Sequence, residues 1–184
     1  MKPLSILALE IYQKLGKQYP NLTERREATK KHIINEITHW DIKTLKQEDN
    51  YFFKPKEFIG DKNSPPFEVR LLKSKAVEGY HELKFGNLNA STDEEKFKWD
   101  DKDPYRLQKA LFLNKVLESK IKPLFENEEI IGIMFQPYNG DGLADDRYSY
   151  FYNMYSKLGK NKYDLNKGEF EAEGTYFIEP KTNN

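Results

Sequence analysis

Between Ile130 and Tyr138 the chain reads IIGIMFQPY, and no strand register places those side chains on one face only. A run that is apolar on both faces is what a central strand covered from two sides carries. It calls for a sheet with helices packed on it, and the rest of the chain supplies them. Leu4, Leu7, Ala8, Ile11, Tyr12 and Leu15 recur at helical spacing over residues 4–18, and Gly16 with Pro20 limits continuation. A second helix starts near Asn21, where Asn21 and Glu24 have the spacing of a capping pair, and passes through Ala28, Ile33, Ile34 and Ile37 toward Trp40. Asp103 followed by Pro104 opens a third, with Leu107, Ala110, Leu111, Asn114, Leu117 and Ile121 on one face and an end near Pro123. The fourth runs from about Asp145 to Leu158, with Gly159 placed as its C-cap.

The extended segments are read from alternation. FEVRLLKS at 67–74 and GYHELKFG at 79–86 alternate and sit close enough together to form a hairpin. From Asp41 to Pro66 the pattern loses its period. YFFKPKEFIG within it reads as a strand that Pro55 restricts to an edge or a bend, and GDKNSPP as a turn. The polar, acidic stretch 87–103 reads as a loop, and KYDL and GTYFIEP as two closing strands. The order α, α, β, β, β, α, β, α, β, β predicts an α/β (α+β) fold with a single mixed sheet and helices on both faces. With 184 residues, the whole span 1–184 reads as one domain.

Charge and composition exclude several functions. Lys+Arg and Asp+Glu balance at 30 each, so the footprint of a general nucleic-acid binder is missing. Without cysteine there is no disulfide, thiolate nucleophile or cysteine metal site. Lys and Asn are abundant while arginine occurs only at Arg25, Arg26, Arg70, Arg106 and Arg147, a usage that fits an AT-rich genome such as that of a bacteriophage. The start, MKPLSILALEIYQKLG, reads as a helix rather than a signal peptide, and no segment approaches the ~20 apolar residues of a membrane span. The default location is the cytoplasm, which for a phage protein means the host cytoplasm or the virion.

The candidate chemistry is sparse. NGDGLADD places Asn139, Asp141, Gly142 and Asp145 at positions of a calcium loop, but that register puts Pro137 and Tyr148 where oxygen ligands carry the affinity, so a strand-to-helix turn is the better reading. Tyr148, Phe151, Tyr152 and Tyr155 form a helical stripe. Such a stripe is usually core, yet so many hydroxyls on one helix suit a partly open groove or a protein partner met through residues 145–158. Arg147 either forks to a carboxylate or phosphate or pairs with Asp145 or Asp146. His32, His39 and His81 are dispersed, so neither a zinc site nor a serine triad has support, and no metal is expected. His81 and Glu82 are neighbours on a strand and therefore face opposite sides.

Met154-Tyr155-Ser156-Lys157-Leu158-Gly159, followed by Tyr163-Asp164-Leu165 and Thr175-Tyr176-Phe177-Ile178, resembles the end of the GNAT family of N-acetyltransferases. There a helix ending in Tyr-x-x-Leu-Gly precedes a strand and a last apolar-aromatic strand. The resemblance implies acetyl-CoA as cofactor and Tyr155 as the acid that meets the departing thiolate, a group with an ordinary pKa near ~8.5. Glu82 and His81 are the candidate bases for acyl transfer to an amine. The family's glycine-rich pyrophosphate turn between the central strand and the next helix is replaced here by Gly86-Asn87-Leu88-Asn89-Ala90-Ser91 and an acidic loop, with Arg106 opening the helix. Asn87, Asn89, Ser91 and Arg106 are the residues that would hold the coenzyme, and the departure implies a diverged site.

Two expectations follow. One is an acyltransferase-like protein, active on an amine if its cofactor site is intact. The other is a non-catalytic binding or structural protein without a cofactor, such as a virion component or an inhibitor of a host factor, using the aromatic helix and charged loops. Free backbone donors around residues 86–91 and 104–106 distinguish the first from the second.

Overall fold

The computed structural model describes residues 2–38, 41–57, 59, 66–92, 96, 103–137, 144–168 and 174–181. Its elements run α1 (Leu4–Lys14), α2 (Leu22–Thr38), β1 (Ile42–Gln47), β2 (Asn50–Pro55), β3 (Glu68–Lys73), β4 (Tyr80–Gly86) and α3 (Arg106–Val116). A wide π-type turn, Leu117–Ile121, leads into the short α4 (Lys122–Glu126), and β5 (Gly132–Phe135), α5 (Ala144–Gly159), β6 (Tyr163–Lys167) and β7 (Tyr176–Pro180) complete the chain. The strands form one mixed sheet in the order β1-β2-β3-β4-β5-β7-β6. Among the described residues only β4 and β5 run parallel, and the connection between them carries α3 and α4. The α+β architecture with a single mixed sheet is thus the one the sequence predicts.

Alternation decides which face of the sheet is core. Tyr51, Phe53, Val69, Leu71, Leu83, Ile133, Phe135, Tyr163 and Ile178 lie on one face and form a single cluster with Phe112, Leu113, Val116, Leu117, Phe125 and Phe151 from the helices. α3, α4 and α5 therefore pack on this face; Phe112 meets Phe67 edge to face at 6.2 Å and Phe125 meets Tyr163 at 5.0 Å. The other face carries Phe52, Arg70, Glu82, Lys84, Phe177 and Glu179, all at least partly exposed.

α1 and α2 form an antiparallel pair ahead of the sheet. Asn21 caps α2, its Oδ1 accepting the N–H groups of Thr23 (2.8 Å) and Glu24 (3.3 Å). Arg25 ties the connection together by donating from Nε to the Tyr19 carbonyl at 2.9 Å while its guanidinium lies 5.1 Å from the centre of the Tyr12 ring. The pair leaves Ile6, Leu9, Leu22 and Ile34 exposed, and Gln108 of α3, fully buried, donates to the Lys2 carbonyl at its base.

The strand boundaries correct the sequence in two places. β1 falls in the stretch that showed no period, and its side chains from Lys43 to Gln47 are all exposed, so no apolar alternation marks it. With β1 present, β2 is an internal strand, and Pro55 is tolerated because the β2–β3 pairing ends at Phe53. The apolar run 130–138 yields a ladder only over Gly132–Phe135. Ile131 is 55% exposed and donates its N–H to the Gly79 carbonyl in the preceding turn. Among the described residues no helix is long and apolar enough to cross a membrane.

Candidate functional site

The parallel pair is where the sheet opens. β4 and β5 are in register at Tyr80 with Gly132, His81 with Ile133 and Glu82 with Met134, and β5 ends one residue later while β4 continues to Gly86. From Leu83 onward β4 keeps its β3 neighbour and has no β5 partner among the described residues. On the core face the fork is filled by Phe151 of α5, 4% exposed, stacked on Phe135 at 3.8 Å and tilted against Phe85 at 5.3 Å.

The sequence-predicted chemical residues do not converge on this fork. Tyr155 is half-buried and its O–H donates to the Tyr163 carbonyl at 3.1 Å, which ties α5 to the start of β6. His81 lies on the core face, 5% exposed, with Nε2 at 2.9 Å from the Asp49 carbonyl. A carbonyl only accepts, so Nε2 carries the proton; Nδ1 is then a buried acceptor with no hydrogen-bond partner among the described residues. Burial pushes the imidazole below its usual range, and the Asp49 carbonyl opposes the shift more weakly. Glu82 points to the other face, 39% exposed, with Lys84 Nζ at 2.8 Å. His81 is thus a structural clasp, whereas Glu82 is an accessible carboxylate at the last paired position before the fork.

Three of the four coenzyme candidates, Asn87, Asn89 and Arg106, make hydrogen bonds within the chain. The Asn87 N–H donates to the Lys96 carbonyl at 2.9 Å and the Ala90 N–H to the Asn87 carbonyl at 2.8 Å. Gly86 sits at φ +143 with the Lys96 carbonyl so close that a Cβ would stand 2.2 Å from its oxygen, so this turn requires glycine to close, not to expose amides. Asn89 accepts from Arg70 through Oδ1 at 2.8 Å, and Ser91 is exposed in the turn that follows. In the turn before α3, Asp103 takes the Tyr105 N–H on Oδ1 (2.8 Å) and the Arg106 N–H on its carbonyl (3.1 Å), so both donors are used; the helix itself starts at Arg106 with Tyr105 at its N-cap and no side-chain cap, two residues later than the expected start at Pro104.

Two arrangements were missed by sequence reasoning. Glu68, fully buried at the start of β3, pairs with Arg70 and stands 3.2 Å from Lys54 Nζ of β2. Glu68 and Arg70 are two apart on a strand and share a face, which is the signal that could have found them. Tyr80 lies across Gly132, where a Cβ would meet its ring at 2.3 Å, and donates its O–H to Glu179 of β7; Asn166 Nδ2 donates to the other oxygen of that carboxylate. Burial and the Glu179 carboxylate push the Tyr80 phenol up to about 12.

On α5, Tyr148 packs on Tyr176 at 4.6 Å, and Tyr152 is 42% exposed with Lys160 Nζ 4.6 Å from its ring centre. The calcium-like positions 139–142 and the side chains of Asp145, Asp146 and Arg147 lie outside the described residues, as do His39 and most of the acidic loop after Thr92. Among the described residues no group of His, Cys, Asp or Glu is arranged to hold a metal ion. No protein-family model matches the chain, and neither do any curated protein or solved structure at a significant level.

Proposed function

We propose that this chain is a non-catalytic binding protein on a scaffold that resembles the N-acyltransferase fold, not a working transferase. The observation that carries the proposal is the use of the backbone donors between β4 and α3 inside the chain: Asn87 and Ala90 in the turn after β4, Tyr105 and Arg106 at the start of α3. A pyrophosphate is bound by amide N–H groups left open at a helix start. Here each of these donors would first have to break a hydrogen bond, at about 0.5–1.5 kcal/mol apiece. Tyr155 is likewise engaged, since proton donation to a thiolate requires its O–H to leave the Tyr163 carbonyl. The exposed Tyr152 face of α5 is a candidate surface for a protein partner.

A second reading, an active acyl-CoA N-acyltransferase, is favoured by the fork between β4 and β5 and by the accessible Glu82 carboxylate beside it. In that reading Glu82 takes the proton of the amine and Tyr155 meets the thiolate. Calorimetric titration of the full chain with acetyl-CoA, alongside Arg106→Ala and Glu82→Gln, separates the two. Absence of heat at hundreds of micromolar coenzyme is the expected result. Micromolar binding that Arg106→Ala weakens, together with acyl transfer to an amine that Glu82→Gln slows, would replace the proposal with the second reading.

A further inference from the structure

The β1–β2 turn, Glu48-Asp49 between the paired Gln47 and Asn50, is weakly tied to the rest of the sheet. β2 pairs with β3 only over Tyr51–Phe53, so Asn50 and the turn lie beyond that ladder. Three hydrogen bonds hold them there. His81 Nε2 donates to the Asp49 carbonyl at 2.9 Å, Lys73 Nζ to Asp49 Oδ2 at 2.6 Å, and the Lys73 N–H to Asn50 Oδ1 at 2.9 Å. Two of the three meet at Asp49, next to Glu48, whose φ of 54 lies in the left-handed region that residues with a Cβ disfavour.

The seat that His81 occupies suits only a neutral ring. With the proton on Nε2, the buried Nδ1 has no partner among the described residues, so a second proton there would find no acceptor. Lys73 lies directly opposite His81 on β3, on the same face, where a second positive charge destabilises the ladder. Burial is the largest influence on the ring and disfavours its charged form. Asp49 favours that form, but its carboxylate is held by Lys73 Nζ, and Lys46 of β1 disfavours it. Glu48 in the turn and Glu78 between β3 and β4 act on Lys73. Tyr51 of β2, its ring 6.1 Å from the imidazole, donates its O–H to Glu129, the carboxylate beside Lys46. Ile133 of β5, the partner of His81 on its other side, is apolar.

We propose that His81 is an acid-operated latch: neutral, it holds the β1–β2 turn against β4, and protonated, it leaves its seat and releases the turn. Leaving brings Nδ1 and its new proton into water, and it gives up the bond to the Asp49 carbonyl, one of the two side-chain ties at that residue. The proton is taken from solvent and returned to it, so the latch closes again as the pH rises. Release is local. The β3–β4 ladder runs unbroken from Glu68 to Lys73 beside it and does not depend on the turn. The latch uses neither Glu82 nor Tyr155, so it stands apart from both readings of the function.

The Lys73 N–H reports the turn directly, because its acceptor is Asn50 Oδ1, and the Ser74 N–H beside it, bonded to the Tyr80 carbonyl at 2.8 Å, is the control. Amide exchange of the full chain is followed by NMR at pH 7.5 and pH 5 and expressed as protection relative to the unstructured rate. Lys73 protection is expected to fall by up to about thirtyfold, the bias that a freed imidazole of ordinary pKa ~6.5 gives the released state at pH 5, while Ser74 keeps its own. His81→Gln can still donate to the Asp49 carbonyl but does not titrate, and should hold Lys73 protection constant. Lys73→Met keeps the reporting N–H, removes the opposed charge and frees the Asp49 carboxylate to meet an imidazolium. The fall should shrink in that variant, which decides the matter even if His81→Gln does not fold. Constant protection in the wild type, the same fall in His81→Gln, or an undiminished fall in Lys73→Met would overturn the proposal. Equal falls at Lys73 and Ser74 would overturn it too, by showing that acid opens the sheet as a whole.

Discussion

The two ends of β4 are held by different physics. At its first residues the strand is zipped to β5, and two consecutive side chains reach past their neighbours to distant elements: Tyr80 over Gly132 to Glu179 of β7, and His81 to the Asp49 carbonyl at the β1–β2 turn. Beyond Glu82 the ladder to β5 stops, and an aromatic ring from α5 fills the space. The contrast sets the two residues apart: His81 is buried with its Nε2 on the Asp49 carbonyl, and Glu82 is accessible. Polar groups at the closed end already serve as fasteners in a buried setting, whereas the open end is shaped by apolar packing and leaves Glu82 beside it accessible.

The largest expected effect comes from removing the ring that fills the open end. Phe151→Ala deletes contacts with both Phe85 and Phe135 and should lower stability by about 3–5 kcal/mol, seen as a lower denaturant midpoint with little change in slope. A loss below about 1 kcal/mol would mean that other side chains close the fork and that the ends of β4 differ less than their pairing suggests.

At the closed end, Gly132→Ala drives a Cβ into the Tyr80 ring and should cost about 1–3 kcal/mol. Urea denaturation in a Tyr80→Ala background sharpens the point. Most of that penalty should vanish there, because the clash is with the ring and not with backbone. A penalty that persists would place the strain in β5 itself.

The His81 clasp gives the closed end a pH dependence. Its pKa is lowered from the ordinary 6.5, so below that value the unfolded chain binds a proton that the folded chain resists. Stability from this group is present above about 6.5 and is lost as pH falls toward the depressed native value. Burial is the dominant cause; the Asp49 carbonyl and carboxylate oppose it, and the smaller contributions of Lys73 and Lys46 add to the lowering. Melting curves of the wild type and His81→Gln from pH 7.5 down to pH 5 should converge as the pH drops. Parallel curves would show that the imidazole titrates as if exposed.

How legible these features were in the sequence follows the same division. The β3–β4 pair, β6 and β7 carry the strand period, and Gly159 at φ +124 ends α5 where the chain punctuation placed it; the helices were found but not their inner faces, since α3 buries Gln108, Lys109, Phe112, Leu113 and Val116 while Leu107 is 56% exposed, and Ile34 of α2 is exposed too. Opposite facing of His81 and Glu82 needed only the strand period. The fork was hidden, since IIGIMFQPY looks uniform while its pairing covers four residues, and the Tyr80 bridge to Glu179 spans 99 positions of sequence. Whether the turn after β4 presents or consumes its amides depends on the Lys96 carbonyl, which no local pattern announces.

β1 was the least legible element, and the reason yields the smallest effect. Its turn, Glu48-Asp49, contains no glycine, although Glu48 occupies φ 54, the left-handed region that the first central residue of this kind of hairpin turn demands. An Asn-Gly or Gly-Asn pair there would have announced a hairpin; a glutamate does not. The conformation disfavours a residue with a Cβ, so Glu48→Gly should stabilise the protein by about 0.5 kcal/mol, strain relief being partly offset by the greater freedom of glycine in the unfolded chain. The adjoining residue, Asp49, is the one His81 clasps from β4. If the clasp holds the turn in its strained form, the gain from Glu48→Gly will grow in a His81→Gln background, and equal gains in both backgrounds would show that the turn keeps its shape without help from the closed end of β4.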